Sequence, residues 1–198
     1  MLESLKNLDA ELLLFFNRLN NPFLDFIFYW FSDKWFWIPF YAFLAWKVFR
    51  YDKSNFLLIV IFIAVAITIS DQLSSALIKE NVMRLRPCHD PILASQLHLV
   101  RDYCGGQYGF VSSHAANVFA LTAFITRLFE RRNLTLQKII WVWAAVVSFS
   151  RIYLGVHFPG DVICGALLGL IVGNSIEKFY SILINRIQRS KANRKTLV

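Results

Sequence analysis

Residues 56–69 are apolar at every position except Thr68. A run with no polar face is either buried on all sides or embedded in lipid. The rest of the chain decides between these. Of 198 residues, 57% are hydrophobic and 16% aromatic, with 19 Phe and 6 Trp, more apolar surface than a soluble domain of this size can hide. The expected class is therefore all-α: an integral membrane helical bundle, in one domain because no Pro/Gly/Ser-rich linker interrupts it. A net charge of +8 would suggest a nucleic-acid partner in a soluble protein. Here the basic residues gather in short loops and near the last residues, so the expected partner is the bilayer and not nucleic acid. No cleavable signal peptide is expected, because Glu3, Asp9 and Glu11 stand where a basic n-region would.

Five spans are expected, at about 34–49, 55–78, 113–129, 138–155 and 160–184. Residues 1–33 read as one or two amphipathic interfacial helices broken near Asn20-Asn21-Pro22. Trp30, Trp35 and Trp37 suit the headgroup region, and Ser32-Asp33 suits a cap for the next helix. Residues 34–185 would form the membrane-embedded domain. Residues 186–198, with Arg186, Arg189, Lys191, Arg194 and Lys195, would form a basic, frayed cytoplasmic tail. Gly165, Gly169 and Gly173 recur every fourth position, a spacing that lets helices approach closely; packing inside the bundle is favoured over a dimer interface.

Charge sets the expected orientation. The loop after the first span, the 127–138 loop (Arg127, Arg131, Arg132, Lys138) and the tail are basic and should lie together on the cytoplasmic side. The 79–111 segment and the 150–161 turn then share the opposite side. The 79–111 segment is itself basic, with Lys79, Arg84, Arg86 and Arg101. A function that needs cations would explain this breach of the charge rule. Cys88 and Cys104 lie in the same segment. In an oxidising compartment they would pair, worth about 3 kcal/mol in the chain-entropy model; two free thiols are the alternative. Zinc is not expected, since no CxxC pair is present.

Three polar clusters fall on that outer side. In the first, Lys79 and Arg86 are seven positions apart, so on a helix they would share a face until Pro87 stops it. Two such cations can clamp a phosphate, or merely end a span by snorkelling. In the second, Tyr108 to His114, Ser112 or Ser113 suits a helix N-cap, where free N–H groups bind anions. His114 starts that helix, where the dipole disfavours its protonated form. In the third, Ser150 to Asp161, His157 and Asp161 are i, i+4 neighbours in a helical turn. A carboxylate beside an imidazole fixes its tautomer and raises its basicity, as a nucleophile or general base requires. Arg151 supplies a fixed cation suited to phosphate. A helix-end salt bridge is the plain alternative.

Together the three clusters resemble the type 2 phosphatidic acid phosphatase family, which shares its site with vanadium haloperoxidases. The family signature reads K-x6-RP, PSGH and SR-x5-H-x3-D. Lys79 to Pro87 and Ser150 to Asp161 match in full. The middle motif is Val111-Ser112-Ser113-His114, departing at the family's Pro and Gly. The resemblance covers roughly residues 55–175. It implies a two-step hydrolysis without metal or cofactor. His157 would attack phosphorus, Asp161 would orient it, and His114 would protonate the leaving oxygen and then activate water. Lys79, Arg86, Arg151, Ser112 and the amides near Ser113 would hold the phosphate oxygens. The membrane setting points to an amphiphilic lipid (di)phosphate. Undecaprenyl diphosphate at the periplasmic face of the inner membrane is the expected substrate, with phosphatidylglycerol phosphate or a lipid A phosphate as alternatives. Outside enzymes, an inactive lipid-phosphate binder is disfavoured by the intact side chains, and a transporter by the lack of inverted repeats.

Overall fold

The computed structural model describes residues 2–130 and 132–195. Seven helices carry the described residues: α1 (Leu2–Asn17), α2 (Pro22–Ser32), α3 (Ile38–Tyr51), α4 (Phe56–Val82), α5 (Ser113–Phe129), α6 (Leu134–Tyr153) and α7 (Pro159–Lys195). The described residues include no strand beyond one antiparallel bridge, Leu85 to Tyr108. Local chemistry sets several starts. Asn21 accepts the Leu24 N–H at 3.0 Å ahead of Pro22, and Asn133 accepts the Leu136 N–H at 3.1 Å. Both are side-chain caps on otherwise orphaned donors.

The exposed faces identify the solvent. Leu57, Ile61, Val65 and Ile69 form an exposed i, i+4 stripe on α4, and Ile163, Leu167 and Ile171 form another on α7. Such stripes in water would make an unsustainable apolar patch, so they face hydrocarbon. Two helices among the described residues are long and apolar enough to cross alone, Phe56–Val82 (mean hydropathy 2.4) and Pro159–Ser190 (mean hydropathy 1.5). Glu130 and Arg132, at the 127–138 turn, lie at the end of the bundle opposite the 79–111 segment; Arg131 lies outside the described residues.

α5 and α7 form the central seam. A Cβ on Gly165 would meet the Ser112 carbonyl, and on Gly169 or Gly173 it would overlap the Ala116 or Ala120 carbonyl. The three glycines thus bring α7 against the α5 backbone within one chain. A larger core lies at the inner end, where Phe124, Ile125, Ile140, Trp143 and Tyr180 are buried together.

Three sequence expectations change. The first span starts late: Asp33 accepts the Trp35 N–H at 2.9 Å and closes a turn, so α3 begins only at Ile38. Its 14 residues span about 21 Å, short of a hydrocarbon core of about 30 Å. Lys79 and Arg86 share no helix. Met83 takes a left-handed conformation (φ 50°) and ends α4, and Arg86, preceding Pro87, is extended. The last helix does not stop near residue 184 but continues through the basic segment to Lys195. Residues 196–198 of the expected tail lie outside the described residues.

Replacing Gly169 with Leu should therefore lower the thermal unfolding midpoint of the detergent-solubilised protein by several degrees, an overpacking cost of about 2 kcal/mol. Leu167→Ile, on the lipid face, should leave it unchanged. Equal midpoints for both variants would refute the seam.

Candidate active site

The outer ends of α4, α5, α6 and α7 converge, and each delivers one part of the expected site. α4 delivers Lys79 through a π-helical stretch, Leu73–Lys79, a wider turn often found at functional sites. The Lys79 ammonium donates to Ser113 Oγ at 2.7 Å, and Ser74 Oγ lies 2.9 Å from the same hydroxyl. α5 delivers Ser112, Ser113 and His114. Ser112 is the N-cap, with its buried Oγ 3.5 Å from the Ala115 N–H. Its own N–H donates to the Asp161 carbonyl at 2.9 Å, tying the start of α5 to the start of α7.

Arg86 comes from the extended segment after α4. That segment pairs with residues 107–109: the Arg86 N–H donates to the Gln107 carbonyl at 3.0 Å, and the Gly109 N–H to the Arg84 carbonyl at 2.8 Å. Arg86 is buried, and its Nη1 donates to the Val156 carbonyl (3.4 Å) and to His157 Nε2 (3.1 Å). Arginine has no acceptor, so Nε2 must present its lone pair and the ring proton sits on Nδ1. Nδ1 lies 3.4 Å from Asp161 Oδ2 without forming a hydrogen bond to it, and the Gly109 carbonyl is also near. The tautomer is the one a nucleophilic Nε2 needs.

His157 sits in the turn between α6 and α7, 1% exposed. Gly155 reverses that turn at φ 71°. The His157 and Val156 N–H groups both donate to the Arg151 carbonyl at 3.2 Å. Burial, reinforced by Arg86, Arg151 and Lys79, holds the imidazole well below its ordinary value, so it is neutral. Arg151, in the last turn of α6, is buried; its Nη1 donates to Ser32 Oγ, while its Nε is unpartnered. Arg151, His157, Arg86 and Lys79 all lie near enough to act electrostatically on His114.

Asp161 is fully buried. Its Oδ2 accepts the Phe158 N–H at 3.1 Å, and its Oδ1 accepts Arg84 Nη1 at 2.8 Å. A Cβ on Gly109 would come within 2.9 Å of Asp161 Oδ2, so only glycine fits there.

The structure thus gathers His157, Asp161, His114, Lys79, Arg86, Arg151 and Ser113 at one place. The buried Ser112 hydroxyl is committed to its helix cap. Cys88 and Cys104 are joined in a disulfide. With His89 their ligand atoms lie within 4.8 Å of one another, but both sulfurs are committed to that bond and no thiolate remains. Sequence reasoning missed Arg84, Ser32 and Gly109. Arg84 occupies an unspecified position of the first motif, where it reads as loop charge. Ser32 reads as a helix cap, and nothing in its neighbourhood signals its reach to Arg151.

This arrangement matches a known family. The model of the PAP2 superfamily covers residues 54–183. The chain belongs to the PAP2 superfamily. As a PAP2 enzyme it is a membrane-integral hydrolase of the phosphatase class. Two similar proteins are the lipid A 4'-phosphatases of Bacteroides thetaiotaomicron (40% identical, covering 85% of this chain and 75% of the relative) and Porphyromonas gingivalis (38%, covering 90% and 75%). The undecaprenyl-diphosphatase of Sulfolobus acidocaldarius is less similar, at 32% over 67% of this chain and 58% of its own. The crystal structure of a transmembrane PAP2-type phosphatidylglycerolphosphate phosphatase from Bacillus subtilis shares the fold, with a TM-score of 0.64 at 22% identity over 90% of this chain and 87% of that one.

A neutral His157 makes a pH prediction. Because its protonation is displaced downward, the acid limb of kcat/KM should lie below about 6.5, the ordinary histidine value. The pH profile of phosphate release by the purified protein checks this. An acid limb at or above that value would contradict the site's electrostatics.

Proposed function

We propose that this PAP2 enzyme removes a phosphate from the lipid A headgroup at the periplasmic face of the inner membrane, through a phosphohistidine on His157. In the first step His157 Nε2 attacks phosphorus and the bond to the lipid oxygen breaks. His114 gives that oxygen a proton. In the second step water attacks the phosphohistidine, His114 takes the water's proton, and free phosphate leaves with His157 restored. Arg86, Arg151 and Lys79 neutralise charge on the phosphoryl oxygens in both transition states.

The observation that supports a lipid substrate is a largely apolar cavity of about 610 Å³ whose lining includes Ser113 and His114. It continues between α3, α4, α5 and α6 along Leu44, Val48, Val60, Ile63, Leu121 and Val147. A phosphate at the cations would place an acyl chain in this cavity without leaving hydrocarbon. The choice of lipid A over undecaprenyl diphosphate, the substrate expected from sequence, rests on similarity. The two relatives at about 40% identity are lipid A 4'-phosphatases, and the undecaprenyl-diphosphatase is more distant. The orientation rests on the basic inner turns and on the disulfide at the outer end.

A substrate panel tests the proposal: phosphate release by the purified protein from lipid A, undecaprenyl diphosphate, phosphatidylglycerol phosphate and phosphatidic acid. The kcat/KM for lipid A should exceed each of the others by about tenfold or more. A preference for undecaprenyl diphosphate would overturn the choice of lipid and favour the prenyl carrier instead.

A further inference from the structure

Asp161 has a second partner that the family motifs do not include. Arg84 lies among the six unspecified residues of K-x6-RP, and its two terminal nitrogens bridge two carboxylates. Nη1 donates to Asp161 Oδ1 at 2.8 Å and Nη2 to Asp9 Oδ2 at 2.7 Å. The other Asp9 oxygen accepts the Gly160 N–H at 2.7 Å, in the first turn of α7. A Cβ on Gly160 would come within 2.8 Å of Asp9 Oδ2, so glycine makes room for this contact. The Arg84 guanidinium also lies over the Phe158 ring, 4.0 Å from its centroid. Asp9 belongs to α1, outside the 54–183 region that defines the family.

We propose that Arg84 and Asp9 are positioning residues for His157, acting through Asp161, and that α1 is thereby part of the catalytic apparatus. The inference rests on His157 being the nucleophile. What Arg84 constrains is the rotation of one carboxylate. Oδ2 faces His157 Nδ1 and the Phe158 N–H, and those contacts alone leave Oδ1 free to swing. Arg84 fixes Oδ1 with a charge-assisted bond. Asp9 in turn fixes Arg84 and the start of the helix that carries Asp161. Arg84 is 26% exposed and Asp9 14%, so both are shielded enough for the bonds to hold geometry rather than dissolve into solvent. Removing Arg84 leaves a buried carboxylate half-satisfied and free to turn away from the imidazole.

The test uses the full chain in detergent micelles and measures phosphate release from lipid A and from phosphatidic acid. Arg84→Gln should lower kcat by about tenfold to a hundredfold with KM within about twofold of wild type. Arg84→Lys should recover part of the loss, and Asp9→Asn should show a smaller loss, also in kcat. A double-mutant cycle separates positioning from general destabilisation: in an Asp161→Asn background, Arg84→Gln should cost nothing more. The proposal is overturned if Arg84→Lys and Asp9→Asn keep full kcat while His157→Ala is inactive, or if the Arg84 and Asp161 losses multiply. Should Arg84→Gln not fold, Arg84→Lys and Asp9→Asn carry the test. A folded His157→Ala protein with full turnover would remove the nucleophile reading itself, and this inference with it.

Discussion

Two helix starts meet backbone to backbone, and the position of the reacting groups depends on that meeting. The Ser112 N–H donates to the Asp161 carbonyl, and Gly165, Gly169 and Gly173 of α7 keep the α5 backbone in contact for about three further turns. His114 is the second residue of α5 and Asp161 the third of α7. Side-chain separations in the site are therefore set by backbone contact, which varies far less than side-chain packing. A Cβ on any of these three glycines would push the two helices apart. Catalysis tolerates little of that, since misplacement by about 1 Å can cost a hundredfold.

Electrostatics supplies the rest. Lys79, Arg86 and Arg151 converge on a neutral His157, with Asp161 as the nearby carboxylate. Like charges at the edge of a hydrocarbon phase repel and resist desolvation. The protein holds them with neutral acceptors: Lys79 on Ser113, Arg86 on the Tyr108 and Val156 carbonyls, Arg151 on Ser32. In the proposed mechanism a phosphate dianion is their common partner. Burial first, and then these same cations, keep the imidazole deprotonated.

Much of this was legible in the sequence, because periodicity and spacing are local. The apolar run at 56–69, the glycine spacing in α7 and the Ser112 cap each translate into an observed element. The two matching motifs and the middle one converge as their resemblance implied. What failed was geometry decided by one residue or by distant contacts. Nothing marks Met83 as the left-handed stop that takes Arg86 off the helix. Asp9 and Arg84 are 75 positions apart, and Arg84 and Asp161 are 77, so their bridge exists only in three dimensions. Ser113, a departure from the family's Gly, binds Lys79 through a hydroxyl that glycine lacks. The lipid itself left no motif, because helix faces that form an apolar cavity look like any membrane span.

The proposed mechanism requires that His157 become covalently phosphorylated during turnover. It is tested by mixing excess enzyme with lipid A carrying radiolabelled phosphate, quenching in alkali within one turnover, and mapping the label by mass spectrometry. Acid-labile label is expected on the peptide containing His157, transient in wild type and absent in His157→Ala. Phosphate released at full rate with no label on the protein, or label on another residue, would contradict it.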